Sequence, residues 1–253
     1  MAGQETTGKG VAFITGGSRG IGAALAQTAA ARGYAVAIVY RDRSADADKV
    51  VAGIEKAGGR ALAIRADIAD ESAIVRAFKQ ADALGPLTLL VNNAGITGPM
   101  RRVADVDGAT LDQVMRINVT APFLCAREAV LRMSTARGGK GGSIVNISSG
   151  ASQLGSGGTW VHYAASKGAI DTFTIGLARE VAAEGIRVNG VRAGMIDTEI
   201  HAARAPELTA KMVAGIPLGR IGKPEEIANT VLWLASGEAS YVTGALMDVR
   251  GGM

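Results

Sequence analysis

One cysteine, two histidines and six prolines are spread over 253 residues, and only 4% of the chain is aromatic. The single thiol, Cys125, excludes an intramolecular disulfide and any metal site built on paired cysteines. It lies in the apolar stretch APFLCAREAV (121–130) and reads as a buried structural thiol. No cluster of ligating side chains has metal spacing, so no metal is expected. The scarcity of aromatics leaves no platform for stacking sugars. Basic runs are missing although the net charge is +4 and the pI about 9.4, so nucleic acid is not an expected partner. A mild positive balance suits a phosphorylated ligand instead. The opening MAGQETTGKG has no apolar core of a secretion signal, and the uncharged run between Lys140 and Lys167 is too rich in Ser, Gly, Asn and Gln to be a membrane span. A cytoplasmic protein is the expectation.

What the chain has in abundance is glycine, 35 residues, within a composition that is 48% hydrophobic. That suits one large α/β core with many tight strand–helix turns. The apolar run 10–15 ends in the glycine turn Gly16-Gly17-Ser18-Arg19-Gly20-Ile21-Gly22, and an Ala-rich helix over about 21–32 follows. Strand, glycine turn and helix in this order form the first unit of a dinucleotide-binding fold, in which backbone N–H groups at the helix start meet a pyrophosphate. The spacing is G-x-x-x-G-x-G rather than the commoner G-x-G-x-x-G. The second strand, 34–40, ends on Tyr40 and Arg41 where an NAD binder would carry a carboxylate for the ribose. With Arg19 in the turn, two arginines favour the 2′-phosphate of NADP(H) over NAD(H), although Asp42 could turn inward. After a helix over 45–57 and a strand over 60–65 come Asp67 and Ile68. Asp67 could meet an adenine amino group or cap a turn, and Asp70 reads as a helix N-cap.

A fourth strand, 87–91, runs into Asn92-Asn93-Ala94-Gly95, where buried amides would brace neighbouring strands and leave room for a cofactor. Thr110-Leu-Asp-Gln113 has capping-box form and predicts a helix over about 111–136. Asn118 inside it, four residues before Pro122, predicts a kink. A fifth strand, 143–147, then leads through a Ser/Gly-rich loop into a long helix. Tyr163 and Lys167 stand four apart on it and therefore share a face, and the loop can bring Ser149 to the same place. An ammonium beside a phenol would lower its pKa, and the serine could hold a carbonyl oxygen while the tyrosine protonates it. A strand over 186–191 leads to Arg192–Thr198. The segment 197–215, with His201 and Pro206, has the mixed polarity of a substrate lid. Lys223-Pro224-Glu225-Glu226 is a helix start, and a last strand covers 245–249. With no repeat or linker, residues 1–253 read as a single domain built on a Rossmann-type, doubly wound, mainly parallel seven-stranded sheet with helices on both faces.

Taken together, TGGSRGIG (15–22), NNAG (92–95), Asn118, NISSGASQLG (146–155) and YAASK (163–167) resemble the short-chain dehydrogenases/reductases over about residues 9–252. Within that family the chain is similar to the NADP-linked 3-oxoacyl-carrier-protein reductases and sugar dehydrogenases. The resemblance implies a catalytic tetrad of Asn118, Ser149, Tyr163 and Lys167, with Ser149 preferred to Ser148 because it lies six residues before Gly155. It implies cofactor contacts from Gly16, Ser18, Arg19, Gly20, Ile21, Gly22, Tyr40, Arg41, Asp67, Ile68, Asn93, Ala94, Gly95, Tyr163, Lys167, Gly194, Ile196 and Thr198. It also implies hydride transfer between nicotinamide and a carbonyl or secondary alcohol, and a homotetramer. Two departures stand out: the loop before Tyr163 is one residue longer than in many relatives, and Ala193-Gly194 replaces Pro-Gly. Gln153, Trp160 and His162 are candidates for lining the substrate pocket. A cofactor-binding sensor without turnover is the alternative, and the intact tetrad argues against it.

Overall fold

Short runs of β-branched and apolar residues, buried on both sides, set the architecture. A computed structural model describes residues 8–199 and 213–253. Strands β1 (Val11–Thr15), β2 (Ala35–Tyr40), β3 (Ala61–Arg65), β4 (Leu87–Asn92), β5 (Gly142–Ser149), β6 (Ile186–Ala193) and β7 (Leu246–Val249) form one sheet in the order β3-β2-β1-β4-β5-β6-β7. Every pairing is parallel. Strands covered on both faces need apolar residues at nearly every position, which is why these runs do not alternate with polar ones.

Alternate side chains serve two cores. Phe13, Val39, Leu90, Ile144 and Val188 face α3 (Glu71–Ala81), α5 (Ala121–Met133) and α7 (Val161–Val181), which contribute Phe78, Met133 and Ala178. Phe13 and Phe78 stack at 3.9 Å between ring centroids, and full burial of each such ring contributes roughly 1.5–3 kcal/mol. Ile14, Ile38, Leu89, Val145 and Val191 face the opposite layer. There α1 (Gly20–Ala31), α2 (Ser44–Lys56) and α8 (Pro224–Ala235) supply Leu25, Ile54 and Leu232, while the short α6 (Ala151–Leu154) follows β5. Strand order reverses between β1 and β4, so a crevice opens above their C-terminal ends.

Several boundaries differ from the sequence reading. Strands β5 and β6 run two residues further than expected, and Ser149 pairs in register with Ala193. Ser149 is therefore held by the sheet rather than by a loop. Helix α4 (Gly108–Met115) begins earlier than 111, because Asp107 and not Thr110 is its cap: Asp107 Oδ1 accepts from the Thr110 backbone N–H at 2.7 Å. The expected kink is a π-helical turn, Arg116–Thr120, between α4 and α5. Proline at 122 has no N–H to serve the Asn118 carbonyl four residues earlier, so the α pattern cannot continue there. Asp70 caps α3 through the Ser72 N–H at 2.8 Å, and Glu226 Oε2 accepts from the Lys223 N–H at 2.7 Å at the start of α8. Of the expected lid, residues 200–212 lie outside the described residues, His201 and Pro206 among them. No described helix is long and apolar enough to cross a membrane.

Candidate active site

A cavity of about 600 Å³ lies over the C-terminal ends of the central strands. Its floor is the glycine turn between β1 and α1. Gly16 has φ +65°, and a Cβ on Gly22 would collide with the Gly16 carbonyl oxygen, so this backbone path excludes larger residues. Helix α1 begins at that turn with no side chain capping its free N–H groups. Open backbone donors at a helix start, with no side chain in the way, fit the diphosphate of a dinucleotide.

Charged side chains gather at the β2–β3 end. Arg19 Nη1 lies 2.7 Å and Arg43 Nη1 3.4 Å from the same carboxylate oxygen, Glu199 Oε2. Arg41 lines the cavity too but is held by its neighbour, Asp42 Oδ2, at 2.6 Å. Two guanidinium groups that converge on one anionic oxygen, with Arg41 beside them, fit a phosphate. Asp67 uses Oδ1 to close a turn, accepting from the Ala69 N–H at 2.9 Å, and also lines the cavity.

The asparagines after β4 brace the sheet. Asn93 Nδ2 donates to the Thr15 and Gly16 carbonyls at 2.9 and 3.1 Å, and Thr15 Oγ1 accepts from the Asn93 and Ala94 N–H groups, both at 3.0 Å. Asn92 Nδ2 donates to Asn146 Oδ1 at 2.9 Å, and Asn146 Nδ2 to Thr174 Oγ1 at 2.9 Å. Asn118 is buried and fully engaged: Oδ1 accepts from Ile96 N–H at 2.9 Å, and Nδ2 donates to the Ile96 carbonyl at 2.8 Å and to Ser166 Oγ at 3.0 Å. It fixes the wall of the cavity from behind.

Ser149, Tyr163 and Lys167 all line the cavity. Ser148 Oγ instead turns to the Lys167 carbonyl at 3.3 Å, deep in the core. Lys167 Nζ donates to the Ile147 carbonyl at 2.8 Å and stands 5.7 Å from the Tyr163 ring centroid. Burial pushes the Tyr163 pKa up, opposed by a hydrogen bond with the Ser149 hydroxyl. Burial brings Lys167 down from 10.5 to about 8, opposed by the carboxylate of Asp171. The expected lowering of the tyrosine by the ammonium is thus not found: desolvation of the hydroxyl governs the shift.

The chain matches, over residues 16–253, the family model described as enoyl-(acyl carrier protein) reductase. It is 50% identical to the uncharacterized oxidoreductase YgfF of Escherichia coli (strain K12), over 96% of this chain and 99% of that one. It is 38% identical to a 3-oxoacyl-(acyl-carrier-protein) reductase of Staphylococcus aureus, over 96% and 97% of the two chains. A blue fluorescent protein from a metagenomic library, solved in complex with NADPH, superposes with a TM-score of 0.90 at 38% identity, covering 98% of this chain and 99% of that one. The chain belongs to the short-chain dehydrogenase/reductase family.

In this short-chain dehydrogenase/reductase every residue expected to meet the cofactor lines the one cavity: Gly16, Ser18, Arg19, Gly20, Ile21, Gly22, Tyr40, Arg41, Asp67, Ile68, Asn93, Ala94, Gly95, Tyr163, Lys167, Gly194, Ile196 and Thr198. Of the pocket candidates, Trp160 lines the cavity and donates from Nε1 to the Gly98 carbonyl at 3.2 Å. Gln153 is exposed and is not among the residues that line the cavity, and His162 Nε2 lies 3.0 Å from the Thr97 carbonyl, tying α7 to the loop after β4. The sequence reading missed Arg43 and Arg250. A second basic residue two beyond Arg41 was a signal for the first; nothing in the sequence marked the second.

Proposed function

We propose that the chain is an NADP(H)-dependent oxidoreductase that moves hydride between nicotinamide and a carbonyl or secondary alcohol. The observation that carries this reading is that Ser149, Tyr163 and Lys167 line the same cavity as the glycine turn. The convergence of Arg19 and Arg43 supports NADP(H) over NAD(H), as does the NADPH bound in the metagenomic relative.

The cofactor, when bound, supplies the hydride chemistry. The chain supplies position and a proton. Because burial raises its pKa, Tyr163 carries its proton at neutral pH and is ready to give it to the substrate oxygen during reduction. Ser149 donates a hydrogen bond to that oxygen. Lys167, with a pKa of about 8, is mostly an ammonium at pH 7 and opposes the negative charge left on the phenol. Its Nζ also has donors left for a ribose hydroxyl, beyond the one given to Ile147. Asn118 holds the Ile96 loop in place, and its backbone carbonyl, which Pro122 four residues on cannot serve, is the candidate anchor of a water that resupplies the proton. The segment 197–215 acts as the lid. A homotetramer in the cytoplasm belongs to the same reading, supported for assembly by exposed Leu111, Met115, Phe123 and Leu131 on α4 and α5.

Equilibrium titration with NADPH and NADH, followed by a carbonyl panel, tests this reading. We expect tighter binding of NADPH, and a Tyr163→Phe variant that binds NADPH while losing about 10²–10⁴-fold in kcat. Equal affinity for the two cofactors would remove the phosphate assignment. Undiminished turnover by the phenylalanine variant would remove the tyrosine, and binding without turnover across the panel would favour a sensor.

A further inference from the structure

Charge is distributed unevenly along the cavity. Its acidic lining residues, Asp42, Asp67 and Glu199, belong to the end that holds Arg19, Arg41 and Arg43. Around Ser149 and Tyr163 the charged lining residues, among those described, are Lys167 and Arg250, both cations. Lys167 is engaged by the Ile147 carbonyl beside Tyr163. Arg250 has no part in the mechanism above.

Arg250 is the first residue after β7, and two glycines admit it to the cavity wall. A Cβ on Gly194 would lie 2.7 Å from Arg250 Cα, and one on Gly150 would lie 2.6 Å from its Cδ and 3.2 Å from its Nη1. The guanidinium therefore rests against the residue that follows Ser149. A second cavity, lined by Ile216, Arg220 and Asp248, shares Arg250 with the first, so the side chain stands at the junction of both.

The pairing of this guanidinium is incomplete. Its Nη2 lies 3.1 Å from Asp248 Oδ2, but Asp248 also faces Arg192 Nη1 at 3.9 Å. Arg192 in turn takes Asp171 Oδ2 at 2.8 Å, and Asp171 is the carboxylate that acts on Lys167. Three cations thus share two carboxylates. Arg250 Nε is buried without a hydrogen-bond partner, and the side chain is only 11% exposed. An unmet guanidinium donor at the wall of a cavity is relieved by an anion.

We propose that Arg250 anchors a carboxylate on the substrate, so that the enzyme acts on oxo acids or hydroxy acids rather than on neutral carbonyl compounds. The proposal rests on the reductase reading of the same cavity and adds the substrate class. A guanidinium offers a carboxylate paired donors that an ester cannot use as well.

The test is steady-state kinetics with NADPH on a panel of short oxo acids, among them 4-oxocyclohexanecarboxylate, each against its methyl ester. The wild type is expected to favour the acid. Arg250→Gln should lower the acid-to-ester ratio of kcat/KM by about 10–100-fold, chiefly through KM, with Arg250→Lys intermediate. Unchanged NADPH affinity certifies that the variants fold. An equal loss on acid and ester would make Arg250 a structural residue and overturn the proposal, as would a wild type without acid preference. If no pair is turned over while NADPH binds, the reductase reading fails instead. The acids' effect on the melting temperature of the NADPH complex then decides: a rise in the wild type that is lost in Arg250→Gln upholds the carboxylate site, and no rise overturns it.

Discussion

At Lys167 a single number carries a pH dependence. Burial brings the ammonium to about 8 in the folded chain, against 10.5 as its ordinary value. Reduction as proposed needs the lysine charged and Tyr163 protonated, so kcat/KM for a carbonyl substrate should fall as pH rises through about 8. Lys167→Arg, which stays charged, should remove that fall while lowering the plateau through misplacement of the charge. A pH–rate profile with the same inflection in both enzymes would sink the assignment. The same shift acts on stability. Between about 8 and 10.5 the unfolded chain holds a proton on this lysine that the folded chain has released, so this residue's contribution to stability rises with pH across that window. Urea melts of the wild type and Lys167→Met at pH 7 and 10 should show it as a narrowing gap that favours the variant less at the higher pH. The tyrosine–lysine face was legible in the sequence because helix periodicity alone puts residues four apart together. The direction of the tyrosine's shift was not, since it depends on how deeply the cavity wall buries the hydroxyl. Arg250 was hidden for a similar reason: it reaches the cavity from the turn after β7, whose path depends on the distant Gly150 and Gly194.

The π-turn at Arg116–Thr120 shows how an element can hold a site from behind, with Ile117 as its residue on the cavity lining. It lets the Asn118 side chain reach both backbone groups of Ile96 and the Ser166 hydroxyl, tying the loop after β4 to the helix that carries Tyr163 and Lys167. Asn118→Leu fills a similar volume but leaves these groups unmet in a buried place. Each unmet group costs about 1–3 kcal/mol, so the variant should unfold at clearly lower urea and bind NADPH more weakly. Stability within about 0.5 kcal/mol of the wild type would mean that the loop finds other partners. The kink was readable from Asn118 and Pro122, because a missing N–H is a property of the sequence. The start of α4 was misread because Thr110 and Asp107 both have capping chemistry three residues apart, and only the chain path decides between them. Strands β5 and β6 outran their apolar cores for a related reason: Ser148, Ser149 and Arg192 are polar, yet pairing with a neighbour satisfies their backbone.

On the scale of the whole molecule, the outer face of α4 and α5 shows water four apolar side chains set around the ion pair of Arg127 with Glu71. Leu111 and Met115 lie one turn apart on α4, and Phe123 and Leu131 two turns apart on α5, and all four are more than 40% exposed. Phe123 is not loose: its ring stacks on Phe173 of α7 at 3.7 Å between centroids, which ties this face to the helix of Tyr163 and Lys167. A patch of this kind is stable in water when a second copy covers it, and a specific interface needs about 800 Å² from each partner. The proposed tetramer of 25.7 kDa chains would bury it. Phe123→Glu combined with Leu131→Glu replaces two apolar side chains of the proposed seam by charges, one turn either side of the exposed Arg127, so that closing the seam would desolvate them. Sedimentation velocity should then show the wild type as a tetramer and the variant at half its mass or less, with a lower melting temperature because α7 loses its outer support. A wild type that sediments as a monomer would refute the assembly outright. A double variant that stays tetrameric would move the interface elsewhere and leave the exposed stack of Phe123 on Phe173 as packing within one chain.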